Sequence, residues 1–435
     1  MDIIEKQFKF KENNTNIKTE FFAGLTTFFT MSYLFILSPK ILEQAGLNFN
    51  VTLTITCLLV FIGSILMGLI ANKPYAVAPF LGETAFISYT LVNSMGFSIK
   101  TAFAAILISG LLLLLLTILN VRTFIINKIP QTIKLAFCTG LGFFFIFIAL
   151  KDIGIVNFTK NSIPIETGNF LSLNVLLGLF CFILIIYLAQ KNNKAAVLIS
   201  ILVTTLIGII IGDVQIPDKI FSLPANYTSS ILQTDFRGLL DKNFLPMIFV
   251  IFILVNIDTA GAIVGLSYKA NFLDKDGNIT DLKKTMIADS ISVILAPIMG
   301  TTTPGAYIDS MTGISAGGRT GFTAIIVGIL FLTGLIFTPI ISIIPSYAYA
   351  PALLYVGILM SSVITKIDFE DITEFATAIF IITAMIFTYN IGTGIICGFI
   401  VYPILKLLCN QKEKTNIITW IMFFISILYF AVYPY

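Results

Sequence analysis

Four acidic residues stand in or at the margin of long apolar runs: Glu83, Asp258, Asp289 and Asp309. A carboxylate in hydrocarbon costs several kcal/mol unless it is neutralised, paired or turned to water, so acids kept in such runs mark cavities and pathways. Asp258 follows the mostly apolar stretch Phe244 to Ile257 and precedes Thr259 and a Gly261-x-x-x-Gly265 face suited to close helix packing. Asp309 and Ser310 directly follow Gly300-Thr-Thr-Thr-Pro304-Gly305-Ala306-Tyr307-Ile308. Glu83 reads equally as a site residue or as a carboxylate capping a half-helix, whereas Asp289, early in its apolar run, reads as a tether to a neighbouring helix. A carboxylate accepts from two donors at once, which suits the N–H and amino edge of a planar heterocycle, and once protonated it can carry a proton. Phe86 and Tyr307 could stack on such a ring, although most of the 40 phenylalanines must fill space or face lipid.

These acids need elements that place them at mid-membrane. Pro74 to Phe86 and Gly300 to Ser310 each put Pro and Gly inside a short apolar region and follow them with small polar residues. Such segments predict broken helices whose half-helix N-termini face the midplane with partial positive charge. Unwound backbone at that depth is tolerated only where it lines a cavity or meets a ligand. The competing reading is a proline kink that serves packing alone.

The surrounding chain is an all-α polytopic membrane protein. Of its residues 57% are hydrophobic and 11% charged, with a mean hydropathy of +0.97; soluble domains carry about 25% charged residues. The apolar runs are long enough to cross a hydrocarbon core of roughly 30 Å and do not alternate as barrel strands do. Spans are expected near 20–39, 50–71, 76–93, 98–119, 129–150, 168–189 and 194–212, then near 243–267, 284–300, 303–317, 320–344, 347–364, 371–389 and 391–408. The organisation is a cytoplasmic tail (1–19), a first seven-span repeat (20–212), an extracytoplasmic linker (213–242), a second seven-span repeat (243–408) and a tail (409–435) with a further apolar segment from Ile417.

Charge supports that topology. With the N-terminus in the cytoplasm, most of the 26 Lys and Arg fall inside, among them Lys73, Arg122, Lys194, Arg319 and Lys406. The tail does not read as a cleavable signal. A net charge of +3 without basic clusters argues against nucleic acid. Cys57, Cys138, Cys181, Cys397 and Cys409 lack paired spacing, and the chain has no His, so neither a metal nor another cofactor is expected.

An internal repeat is visible. Lys100-Thr-Ala-Phe-Ala-Ala-Ile106 reads like Arg319-Thr-Gly-Phe-Thr-Ala-Ile325, and Ile129-Pro130 like Ile344-Pro345, at nearly the same offset. Because seven is odd, two such repeats must be inverted in the membrane, an arrangement that puts substrate sites at broken helices near the midplane.

In this order, Ala23 to Tyr33, Ala78 to Phe86, Asp258-Thr-Ala-Gly261, Leu273-Asp-Lys-Asp-Gly277, Gly317-Gly-Arg-Thr-Gly321 and Ala350-Pro-Ala-Leu353 resemble the nucleobase/ascorbate permease superfamily, in its adenine/guanine/hypoxanthine permease branch. The resemblance implies fourteen segments as 7+7 inverted repeats, with short strands in the broken third and tenth. A core domain (spans one to four and eight to eleven) would carry substrate against a gate domain, elevator-style. It implies proton-coupled uptake of purine bases across the cell membrane and substrate contacts at Thr84, Asp258 and Asp309, with backbone near Phe86 and Ile308. Glu83, Asp258, Thr259 and Ser310 would support the site or carry the proton. The expected partners are a nucleobase, the proton and the bilayer, and a homodimer is compatible with the family. The chain has Thr84 where the family usually has Asn, and Asp309 where it usually has Glu. Alternatives are a permease of the same fold for a pyrimidine, xanthine, urate or small anion, a membrane-embedded enzyme, or a passive channel. No nucleophile–base pair or metal-ligand spacing favours the enzyme.

Overall fold

A computed structural model describes residues 2–158, 165–237, 244–273 and 279–432. Residues 274–277 of the Leu273-to-Gly277 motif lie outside the described residues, as does the end of the linker.

The apolar runs carry no phase of their own, so polar residues write the helix boundaries. Asn16, Asn48, Ser98, Ser172, Thr320 and Asn390 each occupy an N-cap and accept an N–H from the first turn. Gly154, Gly212 and Gly300 end helices in the left-handed region.

In chain order, α1 (Ile17–Met31), α2 (Leu34–Glu43) and α3 (Phe49–Leu66, continued by wider turns to Ala71) lead to strand β1 (Val77–Pro79) and α4 (Leu81–Ala85, continued to Ser94). Then come α5 (Ile99–Ile118), α6 (Arg122–Lys128), α7 (Gln131–Ile153), the hairpin β2 (Val156–Phe158) and β3 (Ile165–Thr167), α8 (Leu173–Gln190) and α9 (Ala196–Ile211). The second half holds α10 (Phe244–Ala270), α11 (Leu282–Met299), β4 (Pro304–Ala306), α12 (Met311–Ser315), α13 (Gly321–Phe331), α14 (Thr338–Ser342), α15 (Ser346–Ser361), α16 (Ile372–Phe387), α17 (Ile391–Leu408) and α18 (Ile417–Val432). Among the described residues, 8 helical stretches are long and apolar enough to cross a membrane unaided.

Each expected span contains helix within a few residues. The expected 320–344 span is the exception in form: it breaks into α13, a tight 3-10 stretch (Leu332–Leu335) and α14. Pro339 offers no N–H to continue the ladder there. Both repeat motifs open a helix, as expected, although the capping residues, Ser98 of α5 and Thr320 of α13, are not equivalent positions of the motif; Pro130 and Pro345 both stand at the N-cap of the next long helix.

The chain divides into two compact units, each drawn from both halves: Met1–Asn127 with Phe221–Thr338, and Lys128–Ile220 with Pro339–Tyr433. The division follows the expected core and gate spans except in the expected 320–344 span, which it cuts between Thr338 and Pro339. In the first unit, α3 packs on α13 as α11 packs on α5, and α1 packs on α13 as α10 packs on α5. Each contact thus occurs twice with the halves exchanged. Gly68 and Gly321 let two of these elements cross closely: a Cβ on Gly321 would fall 2.2 Å from the Gly68 carbonyl oxygen. From Phe221 onward the linker is part of this unit: Leu232 N–H donates to Ile298 O at 2.8 Å, and Ser222 N–H to Ile336 O at 3.1 Å.

The second unit is built on α7 and α15, with α16 against α7 as α8 is against α15. Its buried charge cluster was not legible as such. Lys406, expected as a cytoplasmic loop cation, is 0% exposed. Its ammonium lies 2.6 Å from Glu374 and 3.1 Å from Asp371, and it donates to Gln411 at 2.7 Å.

Candidate functional site

The third and tenth segments meet as strands. β1 and β4 pair antiparallel with Val77 opposite Ala306, Ala78 opposite Gly305 and Pro79 opposite Pro304. Phe80 N–H donates to Thr303 O at 3.0 Å and Tyr307 N–H to Ala76 O at 2.8 Å, which satisfies backbone on either side of the two prolines. The antiparallel pairing of two repeat-related segments is what inversion requires. Gly305 is fixed by crowding: a Cβ there would fall 2.2 Å from Phe80 Cε2 and 2.9 Å from Asp289 Oδ1.

Asp258 lies in α10, partly exposed. Asp309, also partly exposed, accepts from the Tyr33 hydroxyl of the α1–α2 junction at 3.0 Å. Tyr307 is stacked on Phe80 with centroids 6.1 Å apart and 23° between planes, and it lies within electrostatic reach of Asp309, Glu83 and Asp258. Glu83 is 1% exposed and faces Asp258. Among the described residues no donor reaches either Glu83 side-chain oxygen with hydrogen-bond geometry.

Asp289 is the compensated acid of the group. Arg122, expected as a cytoplasmic loop cation, is 1% exposed and lies 3.1 Å from Asp289. It also donates to Asn256 Oδ1 at 3.0 Å and to Ser290 Oγ at 3.0 Å. Thr259 donates to Asp289 at 3.2 Å. Asp289 therefore ties α11 to α6 and α10, as the tether reading has it.

The remaining residues named from the sequence divide. Ile308 is 46% exposed beside Asp309. Ser310 accepts the Ala76 N–H at 3.0 Å and so closes the strand crossing. Thr84 is wholly buried: its hydroxyl donates to Phe80 O at 2.7 Å and accepts from Thr302 Oγ1 at 2.7 Å. Phe86 is wholly buried, and its N–H is taken by carbonyls of Gly82 and Glu83. Of the Gly261/Gly265 face, Gly265 packs near Met311 and Ile308, whereas Gly261 faces open space among the described residues. Tyr33, Phe80, Arg122, Asn256 and Thr302 were missed. Tyr33 alone left a signal, a polar tip closing the Ala23-to-Tyr33 motif.

An integral membrane protein of two inverted seven-span halves, whose interrupted segments cross beside carboxylates, has the architecture of a transporter. Residues 18–397 match the Permease family, and the chain belongs to it, among the nucleobase/ascorbate permeases. It is 37% identical to the adenine permease AdeP of Escherichia coli K12, covering 98% of this chain and 96% of that one. It is 34% identical to the guanine/hypoxanthine permease PbuG of Bacillus subtilis 168, covering 97% and 98%. Among solved structures it resembles the transmembrane domain of the cyanobacterial bicarbonate transporter BicA, with a TM-score of 0.67 at 17% identity over 88% of this chain and 97% of that one.

Proposed function

We propose that this chain takes up purine nucleobases across the cytoplasmic membrane, coupled to protons, with its N-terminus inside. The carrying observation is the trio Glu83, Asp258 and Asp309 beside the β1–β4 crossing, none of which forms an ion pair among the described residues. Uncompensated carboxylates suit a neutral ligand rich in N–H donors and a proton, and they disfavour the small anion of the alternative reading. Two buried cations of this unit are already committed, Arg122 to Asp289 and Lys73 to Asp281. Asp258 and Asp309 accept from the base, Phe80 and Tyr307 offer ring faces, and backbone near Phe86 and Ile308 shapes the pocket. Thr84, Thr259 and Ser310 hold the crossing in place. The names of AdeP and PbuG support the purine class. The repeat-built unit that carries the site is the body that would move in an elevator cycle.

The test is uptake of radiolabelled adenine, guanine and hypoxanthine into proteoliposomes under an imposed proton gradient. Accumulation above equilibrium, collapsed by a protonophore, is expected. Simple equilibration would remove proton coupling, and accumulation of bicarbonate in place of purines would overturn the substrate. Asp258→Asn is expected to abolish uptake while inserting and unfolding like the parent.

A further inference from the structure

Glu83 is the most deeply hidden acid of the site that has no cation beside it. It sits in the first turn of α4, 1% exposed, and among the described residues no N–H or O–H satisfies either oxygen. α4 packs against α10, and the acids within electrostatic reach of Glu83 are Asp258 of α10 and, more weakly, Asp289 of α11. Two carboxylates are acceptors only, so neither can satisfy the other. One added proton turns one of them into a donor and makes a charge-assisted bond.

The surroundings supply no substitute. Arg122 spends its donors on Asp289, Asn256 and Ser290. The Tyr33 hydroxyl is given to Asp309, and the Tyr307 hydroxyl makes no hydrogen bond to Glu83. The charged residues of α2, Lys40 and Glu43, pair with each other at 3.0 Å. Among the described residues, no group of acid, Cys or His side chains is arranged to hold a metal ion.

We propose that Glu83 and Asp258 share a single proton, held on Glu83 so that Asp258 keeps its oxygens as acceptors for the base. This rests on the function proposed above. The step is an addition of one proton to one carboxylate, with no bond of the base made or broken. When the proton leaves, two like charges face each other in a buried space and drive the carboxyls apart, turning the acceptor edge of Asp258 away from the base. Proton and base are then linked ligands, each raising the affinity for the other, and one proton travels with one base.

Glu83→Gln separates the parts, because its amide donates to Asp258 permanently and cannot release a proton. Base affinity of the purified wild-type protein is expected to fall about tenfold per pH unit once the pair loses its proton. The Gln variant is expected to bind and exchange base with pH-independent affinity but to lose gradient-driven accumulation. Retained proton-driven accumulation, the wild-type pH dependence, loss of base binding at every pH, or accumulation driven by sodium would each overturn the proposal. Infrared difference spectroscopy of the base-free wild-type protein reads the pair directly. A titrating carboxylic-acid band that disappears in Glu83→Gln is expected, and its absence at every pH where the protein is folded would also overturn it. If wild-type protein binds no purine, the assigned function falls, while the infrared titration still decides the shared proton.

Discussion

Arg122 and Asp289, 3.1 Å apart and both out of solvent, form the ion pair on which the site is mounted. The guanidinium reaches Asn256 and Ser290, and the carboxylate takes the Thr259 hydroxyl. Asn256 and Thr259 bracket Asp258, so a single pair holds α10 on both sides of its acid and keeps Asp289 out of the ligand's chemistry.

Breaking that pair on one side leaves a buried charge without a partner. Arg122→Ala is expected to cost about 3–5 kcal/mol of stability. Arg122→Met with Asp289→Leu should cost less than either single change, since the double variant strands no charge. Thermal unfolding of the detergent-solubilised protein measures both; equal losses in all three variants would show that packing, not charge, dominates.

Tyr33→Phe removes the hydroxyl that orients Asp309. A hydrogen bond to a charged group contributes about 1.5–3 kcal/mol, so base affinity should fall about tenfold or more with little change in unfolding temperature. Equilibrium binding of labelled base reads this, and an unchanged affinity would place Asp309 outside the site.

Gly305→Ala puts a methyl group where Phe80 and Asp289 already stand. The strand crossing must open or Phe80 must leave its stack on Tyr307. Transport should be lost at normal membrane abundance, whereas Gly261→Ala, which meets open space, should be tolerated by the fold. Uptake normalised to protein in the membrane compares the two.

Asp371, at the N-cap of α16 and outside its helical span, carries a pH prediction. Lys414, Thr373 and Lys406 hold its carboxyl well below the usual carboxylate range. A depressed folded-state value means the stabilisation is fully present above the unfolded value of about 4 and is lost as pH falls through the folded value. Unfolding temperature should therefore decline on acidification below about pH 4, and Asp371→Asn should flatten that limb by losing the stabilisation at neutral pH. A variant with the parent's acid limb would assign the decline to other groups.

The sequence by itself determined what local chemistry and solvent preference can write. Long apolar runs dictate helices in a bilayer, the Lys100 and Arg319 motifs with Pro130 and Pro345 mark where paired helices begin, and Pro-Gly stretches mark where two helices must break. An acid in an apolar run announces its own cost, which is why Asp258 and Asp309 were legible. Tertiary structure alone decided which charges are compensated, because that depends on partners far apart in the chain. Arg122 and Lys406 look like loop cations in sequence and become buried hubs only when α10, α11 and α16 close around them. Thr84 finds Thr302, and Glu83 is left facing Asp258, by the same long-range crossing. The location of the site was written locally; its charge balance was not.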